Sequence, residues 1–255
     1  FDMMANGVDI TEERSNSYDF TEPYAYDHAV IVTKAEYSDI KSEVMYYVPL
    51  NKTHEVWKVR VTNNSDKPRN LSAIGYCEFT NDCNYEQDQV NLQYTLFITR
   101  TYFMDNNKIL QVINENVEKA EINGSKANKR FFALAGSDVA SYCGDKEEFL
   151  GRYHGYGNPI GVINGDLGNK LNYNSNACGA LQSDITLQPG ESKELIFVLG
   201  QKDNAQANEI LASYEAAGKV DSEVEALKEY WHSKLNHFQV STPSDAFNNM
   251  INVWN

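Results

Sequence analysis

No stretch of this 255-residue chain comes near the apolar run of about 18 or more residues that a membrane-spanning helix requires. Basic residues are scarce: 22 Lys and Arg stand against 36 Asp and Glu, for a formal charge of −14. With no basic stripe to offset that charge, the composition argues against a nucleic-acid or anionic-membrane partner. Cysteine is sparse as well. Cys77, Cys83, Cys143 and Cys178 contain no CxxC pair, and a chain this long needs no disulfide staples. Free thiols in a reducing cytoplasm are therefore expected. The N-terminus, FDMMANGVDI, has no initiator methionine and no basic region leading into an apolar stretch. It reads as an internal start, so the chain is expected to be a piece of something longer.

Catalytic signatures are also missing. The glycines of GYGNPIG (155–161) and GDLGNK (165–170) are expected to precede no helix that could cradle a phosphate. His28, His54, His154, His232 and His237 are scattered, and the last two, five apart, do not share a helical face, so no metal site is expected. There is no nucleophile elbow, and Cys143 in SYCGD reads as a small buried residue. Glycoside hydrolysis needs paired carboxylates, but with 36 acids a pair picked by eye means nothing. No complete active site and no cofactor are legible.

What the chain does have is strands. From about residue 28 to 200, short runs such as HAVIVTKAEY, KSEVMYYVPL, EVWKVRVTN, NLSAIGYCEF, KILQVINE and RFFALAG are rich in Val, Ile, Tyr, Phe and Thr. In EVWKVRVT, Val56, Lys58 and Arg60 face one way and Trp57, Val59 and Val61 the other, so one face is expected to be mostly solvated. NNSDKPRN (63–70) and LQPGESKE (187–194) are turns. The pattern predicts a mainly β, antiparallel sandwich over 1–200, with long ordered loops over 144–180. The period changes after Gly200. Helices are expected at 204–217 and 222–238, the second with a Ser222/Glu225 capping box and the stripe Val224, Leu227, Trp231, Leu235, Phe238. Together 201–241 read as a helical linker. Thr242-Pro243 reads as the cap of a third helix, whose stripe Phe247, Met250, Ile251 and Trp254 needs something to pack on. Residues 242–255 are accordingly expected to open a further helical domain. Trp57, Trp231 and Trp254 are expected in the core.

One polar stretch resists assignment. Asn81 to Gln93 carries Glu86, Asp88, several amides and Tyr85, with Tyr94 next to it, although a hairpin turns in two to five residues. It is either a solvated excursion or a sugar-facing loop, since amides and carboxylates match hydroxyl groups and a tyrosine ring lies well against a pyranose. Tyr153, His154 and Tyr156, in a glycine-punctuated loop, remain without a role.

Taken in order, YYVPLNKTHEVWKVRVTNNSDKPRNLSAIGYCEF, FLGRYHGYGNP, LQPGESKELIFVLGQ, ALKEYWHSKLNHFQVSTP and NNMINVWN resemble the N-terminal part of the cellobiose, laminaribiose and N,N′-diacetylchitobiose phosphorylases of glycoside hydrolase family ninety-four. The resemblance spans about Ser42 to Asn255 and is poor over the first forty residues. It implies an antiparallel supersandwich, linker helices and then an (α/α) barrel that carries catalysis beyond Asn255. It implies an inverting enzyme that uses inorganic phosphate as co-substrate, takes a β-linked disaccharide and releases an α-sugar 1-phosphate. It also implies a homodimer in which the loop after the EF strand reaches the partner subunit's active-site mouth. The matching positions are Asp88, Asn91, Gln93 and Tyr94, with Gln93 the foremost sugar contact. Here the sequence reads QVNLQYT where a basic residue beside the Gln is common, which leaves linkage and acceptor open between laminaribiose-like and cellobiose-like substrates. Two other readings stand beside this one. The first is a self-contained carbohydrate-binding module with Tyr153, Tyr156 and Tyr173 as its platform. The second is a mutarotase-like enzyme using His54 or His154 with a nearby acid.

Overall fold

The computed structural model describes residues 30–80, 90, 96–113, 128–235 and 237–253, and two backbone ladders at 4–5 and 8–9. The latter are β1 (Met4–Ala5) and β2 (Val8–Asp9). The trunk is built from β3 (Val30–Tyr37), β4 (Ile40–Tyr47), β5 (His54–Asn63), β6 (Arg69–Glu78), β7 (Thr99–Met104) and β8 (Lys108–Ile113). It continues with β9 (Asn128–Ala135), β10 (Ser141–Asp145), β11 (Ala177–Leu187) and β12 (Ser192–Gly200). A seven-stranded sheet runs β3-β4-β5-β12-β9-β8-β7, and a three-stranded sheet runs β10-β11-β6. Every ladder is antiparallel. The chain is thus mainly β, in two facing antiparallel sheets, as the alternation of apolar residues predicts.

The core between the sheets is aromatic. From the large sheet come Trp57, Ile109, Phe132, Leu134, Leu195 and Phe197, and from the small one Cys77, Ala177 and Leu181. Phe132 and Phe197 stack with centroids 5.5 Å apart, and Phe103 stacks on Tyr142 at 3.8 Å. Each fully buried ring or Leu contributes roughly 2 kcal/mol. Close approach of the sheets depends on Gly75 and Gly179. A Cβ at Gly75 would lie 2.6 Å from the Phe197 ring, and one at Gly179 would lie 2.8 Å from Phe132 Cβ.

Helices cover part of each outer face, so the expectation of a solvated side fails at Val56 and holds at Arg60, which is exposed. Helices α3 (Asn204–Ser213) and α4 (Lys219–Leu235) lie on the large sheet, where Ala207, Leu211, Tyr214, Val224 and Leu227 meet Tyr47, Val56, Leu110, Phe131 and Val198. Val56 is therefore fully buried. On the small sheet, α1 (Lys146–Leu150) and α2 (Ile160–Asn164) bring Phe149 and Val162, joined by Leu167 from the turn after α2, over Cys143, Cys178, Ala180 and Tyr76. Helix α2 does follow GYGNP, contrary to expectation, but it runs only five residues behind Pro159.

Polar pins join helices to sheet. His54 Nε2 lies 2.8 Å from Tyr214 Oη, and both Tyr214 and Tyr47 donate to Glu223, at 3.0 and 2.9 Å. Because the single Tyr214 proton goes to Glu223, His54 must donate from Nε2. Burial holds the His54 pKa below the ordinary histidine value. At the β7–β8 turn, Lys108 is completely buried and donates to Asp105, Asn107 and Asn208 at 2.9, 2.9 and 2.7 Å. Asp105 also accepts from Asn204 and Asn208 of α3.

The helix boundaries differ from the sequence reading in two places. Helix α4 starts at Lys219, so Ser222 lies inside it and its hydroxyl returns to Lys219 O instead of capping. Helix α5 (Asp245–Val253) is capped by Ser244, whose Oγ accepts from Phe247 N, while Thr242 donates to Asn248 Oδ1. Asn248 and Asn252, one turn apart, each use both amide atoms to bind the backbone of Thr242 and Val240. The stretch before α5 is thereby fastened along the helix as if to a neighbouring strand. Of the three tryptophans, Trp57 is core and Trp231 is 38% exposed, so the expectation fails at Trp231; Trp254 lies outside the described residues. Among the described residues no helix is long and apolar enough to cross a membrane.

Candidate functional site

Topology gathers chemistry-bearing residues at one end of the sandwich. Strand β6 ends there at Glu78, β10 ends at Asp145, β11 begins at Ala177 and β7 begins at Thr99. Glu78 and Cys178 are partners in the ladder, and an isolated bridge joins Arg100 to Tyr173. The polar connection that follows Glu78 leaves from this end and returns to it. It carries the chain from β6, an edge of the small sheet, to β7, the far edge of the large one. Sheets pack about 10 Å apart and strands about 4.8 Å apart, so some length is needed for the crossing alone.

Asp88, Asn91, Gln93 and Tyr94 lie outside the described residues. Their foundations do not. On the entry side, Thr80 O accepts from the buried Gln111 at 2.7 Å and from Arg130 at 3.3 Å, and Arg130 also donates to Gln111 Oε1 at 3.1 Å. On the exit side, Arg100 donates to Phe97 O and Thr99 O, and its guanidinium lies 3.9 Å from the centre of the Tyr173 ring. Phe97 and Tyr173 are exposed.

Beside this base stands a cluster on Glu78. Its carboxylate accepts from Tyr156 at 2.6 Å, Tyr76 at 2.9 Å and Lys146 at 3.0 Å. Burial alone would raise the Glu78 pKa, but the bonds from Tyr156, Lys146 and Tyr76 outweigh it and hold the group below the usual carboxylate value. Lys146 is held above the usual lysine value by its bonds to Tyr156 and Glu78, against a burial effect of opposite sign. Glu78 is thus a fixed anion, and Tyr76, stacked on Phe149 at 4.4 Å, ties it to the core of the small sheet. The sequence signal for Glu78 was only its place at the end of a strand, where alternation turns it outward.

Asp145 is the acid whose pKa burial pushes upward. Its oxygens are already used: one caps α1 through Glu148 N and the other accepts from Ser175 Oγ. It therefore serves the fold and not an open cleft. Cys77, Cys143 and Cys178 are free and buried, as expected, while Cys83 lies outside the described residues. No three His, Cys, Asp or Glu side chains gather to hold a metal ion among the described residues. The mutarotase-like reading falls, because His54 sits under the helices on the large sheet and His154 lies beyond the small sheet, bonded to Asn158 O. A shallow depression of about 320 Å³ on β6 and β11 is lined by Asn70, Ser72, Asp184 and Thr186. These side chains satisfy one another, Ser72 with Asp184 and Thr186 with Asn70.

Two facing antiparallel sheets wrapped by helices, with loops and aromatics crowded at one end, define a supersandwich domain. The chain belongs to the family described as glycosyl hydrolase 94, supersandwich domain, whose model matches residues 19–217. It is 32% identical over 234 residues to an N,N'-diacetylchitobiose phosphorylase of Vibrio furnissii, covering 91% of this chain and 28% of that protein. It is 26% identical to a 3-O-beta-D-glucopyranosyl-beta-D-glucuronide phosphorylase of Paenibacillus borealis, over 92% of this chain and 30% of that one. The cyclic beta-(1,2)-glucan synthase NdvB of Rhizobium meliloti (strain 1021) is 29% identical over 85% of this chain and 7% of its own length. The chain thus spans less than a third of the length of these relatives. Among solved structures, a polysaccharide lyase overlaps 68% of this chain and 21% of its own at 13% identity with a TM-score of 0.40, too little to bear on activity.

Proposed function

We propose that this chain is the sandwich portion of an inverting disaccharide phosphorylase acting on a β-linked disaccharide of laminaribiose or cellobiose type. The family membership, with relatives named as phosphorylases, carries the reading. In such a reaction the anomeric C–O bond to the leaving sugar breaks while a phosphate oxygen bonds to the same carbon from the opposite face. One carboxylic acid delivers a proton to the departing oxygen. Phosphate is already anionic and needs no second carboxylate to deprotonate it, so a single acid suffices. Among the described residues, the acids shifted from their ordinary pKa are engaged elsewhere, with Glu78 and Asp105 held as anions and Asp145 spent on a helix cap. This supports placing the general acid and the phosphate site in a helical barrel after residues 1–200 (sandwich), 201–241 (linker) and 242–255 (first barrel helix).

In this reading the sandwich serves homodimerisation and the rim of the active site, within the cytoplasm. Asp88, Asn91, Gln93 and Tyr94 contact sugar at the partner subunit's mouth, on a loop seated on the Thr80 and Arg100 anchors. The test is to supply the intact protein containing this chain with laminaribiose and cellobiose, with and without inorganic phosphate, and to measure sugar 1-phosphate. Product is expected only with phosphate, and equal cleavage in phosphate-free buffer would overturn the reading. In the same assay Gln93→Ala is expected to raise KM by about fivefold, the loss of roughly one sugar hydrogen bond, without moving the melting temperature.

A further inference from the structure

We infer that the loop 151–158 is a second saccharide-contacting element, distinct from residues 81–95, with the Tyr153 ring as its stacking surface and Glu78 as the clamp that positions it. The class of ligand rests on the disaccharide reading above. Tyr153 has φ +65°, a left-handed backbone that bulky L residues rarely adopt, and its side chain is fully exposed. No hydrogen bond or ring contact of that side chain is found among the described residues. The fold therefore gains nothing from the ring, and glycine would fit this backbone better.

The surrounding loop is nevertheless firmly built. Gly151 N bonds Glu147 O at 2.8 Å, His154 N bonds Gly151 O at 3.3 Å, and Asn158 N bonds Gly155 O at 3.1 Å. Asn158 Oδ1 accepts from Gly155 N at 3.2 Å, and Tyr156 is tied to Glu78 at 2.6 Å. A strained aromatic held outward by a rigid frame is what recognition requires and what packing does not.

The neighbouring groups select the ligand. His154 Nδ1 faces Asn158 O at 2.9 Å, so that nitrogen must donate, and Nε2 is left as an acceptor for a hydroxyl. Arg152, exposed at the same turn, offers donors. A ring face, an acceptor and a donor fork match a gluco-configured pyranose, whose faces carry axial C–H groups and whose rim carries the hydroxyls. A second copy of the chain fits this loop poorly, because a single exposed ring is no apolar patch.

The test uses the intact protein containing this chain, titrated with cellobiose, laminaribiose and N,N′-diacetylchitobiose by saturation-transfer NMR and calorimetry. Tyr153→Ala and Tyr153→Gly are expected to weaken binding of at least one sugar about tenfold, and Tyr153→Trp to retain it. Tyr153→Gly should also keep or raise the melting temperature, because glycine adopts the left-handed backbone without strain. Sugar binding unchanged in Tyr153→Gly, no binding of any of the three sugars by the parent protein, or a melting temperature lowered by that substitution would each overturn the inference. A shift in oligomeric state with no change in sugar binding would do the same. The titration needs no turnover, so failure of phosphate dependence and failure of Tyr153 are read separately.

Discussion

Gly75 and Gly179 set the spacing of the two sheets at the point where Phe132 and Phe197 stack. Replacing Gly75 with Ala puts a methyl 2.6 Å from the Phe197 ring, inside any real contact distance. Gly75→Ala is expected to cost about 1–3 kcal/mol, seen as a lower urea midpoint with an unchanged slope. Phe197→Leu in the same chain should recover part of that loss, because the ring is the obstacle. A Gly75→Ala protein as stable as its parent would mean that the layers sit further apart. Nothing in NLSAIGYCEF marks Gly75 as a spacer, since its meaning depends on a ring more than a hundred residues away. Ser222 and Thr242 also have capping chemistry, but the helices begin at Lys219 and Asp245, so Ser222 lies inside its helix and Ser244 takes the cap.

Among the elements, α3 is held to the trunk by a polar pin as well as by Ala207 and Leu211. Lys108 has no exposed surface, and Asp105 supplies its negative partner. Asp105→Asn is expected to destabilise by about 3 kcal/mol, the low end for a broken buried pair, because Asp105 itself is 45% exposed. The double variant Asp105→Asn/Lys108→Met should be milder, since it leaves no stranded charge. The pin is also sensitive to pH. The hydrogen bond from Lys108 holds the Asp105 pKa down to about 2, from an ordinary 3.8. A depressed carboxylate stabilises fully above its unfolded value, so this contribution is present above about pH 4 and disappears as pH falls through about 2. Thermal melts of parent and Asp105→Asn should differ at pH 6 and converge near pH 2. The sequence reading found most strands but not β11, ACGALQSDITL. Its small residues contradict β propensity, yet they are required, because β11 is pressed between the large sheet on one face and Phe149 with Leu167 on the other.

Viewed whole, the molecule has four layers, and the helices at 204–235 are part of the trunk rather than a tether. They cover Tyr47, Val56, Leu110, Phe131 and Val198, all at most 2% exposed. Removing residues 201–255 would uncover a contiguous apolar face made of these residues, a liability for a soluble monomer. The shortened chain is expected to aggregate on size-exclusion chromatography, whereas a well-behaved monomer would show that the sandwich stands alone. The β class, the sandwich and the helical end were readable because apolar period reports burial directly. The expected solvated sheet face was wrong at Val56, because period cannot say which later element returns to cover a strand. The end-on cluster of Glu78, Lys146 and Tyr156 was illegible, since 68 and 78 residues separate its parts from Glu78.

The anchors at Thr80 and Arg100 also bear on how such a protein diversifies. Both sockets are fastened to sheet strands, Thr80 through Gln111 and Arg130, and Arg100 at the head of β7. Whatever is plugged between them can be lengthened, shortened or exchanged while the mountings stay put. On the proposed sugar-contacting role of that segment, ligand preference would drift by swapping a cassette, with the chassis spared any need to refold.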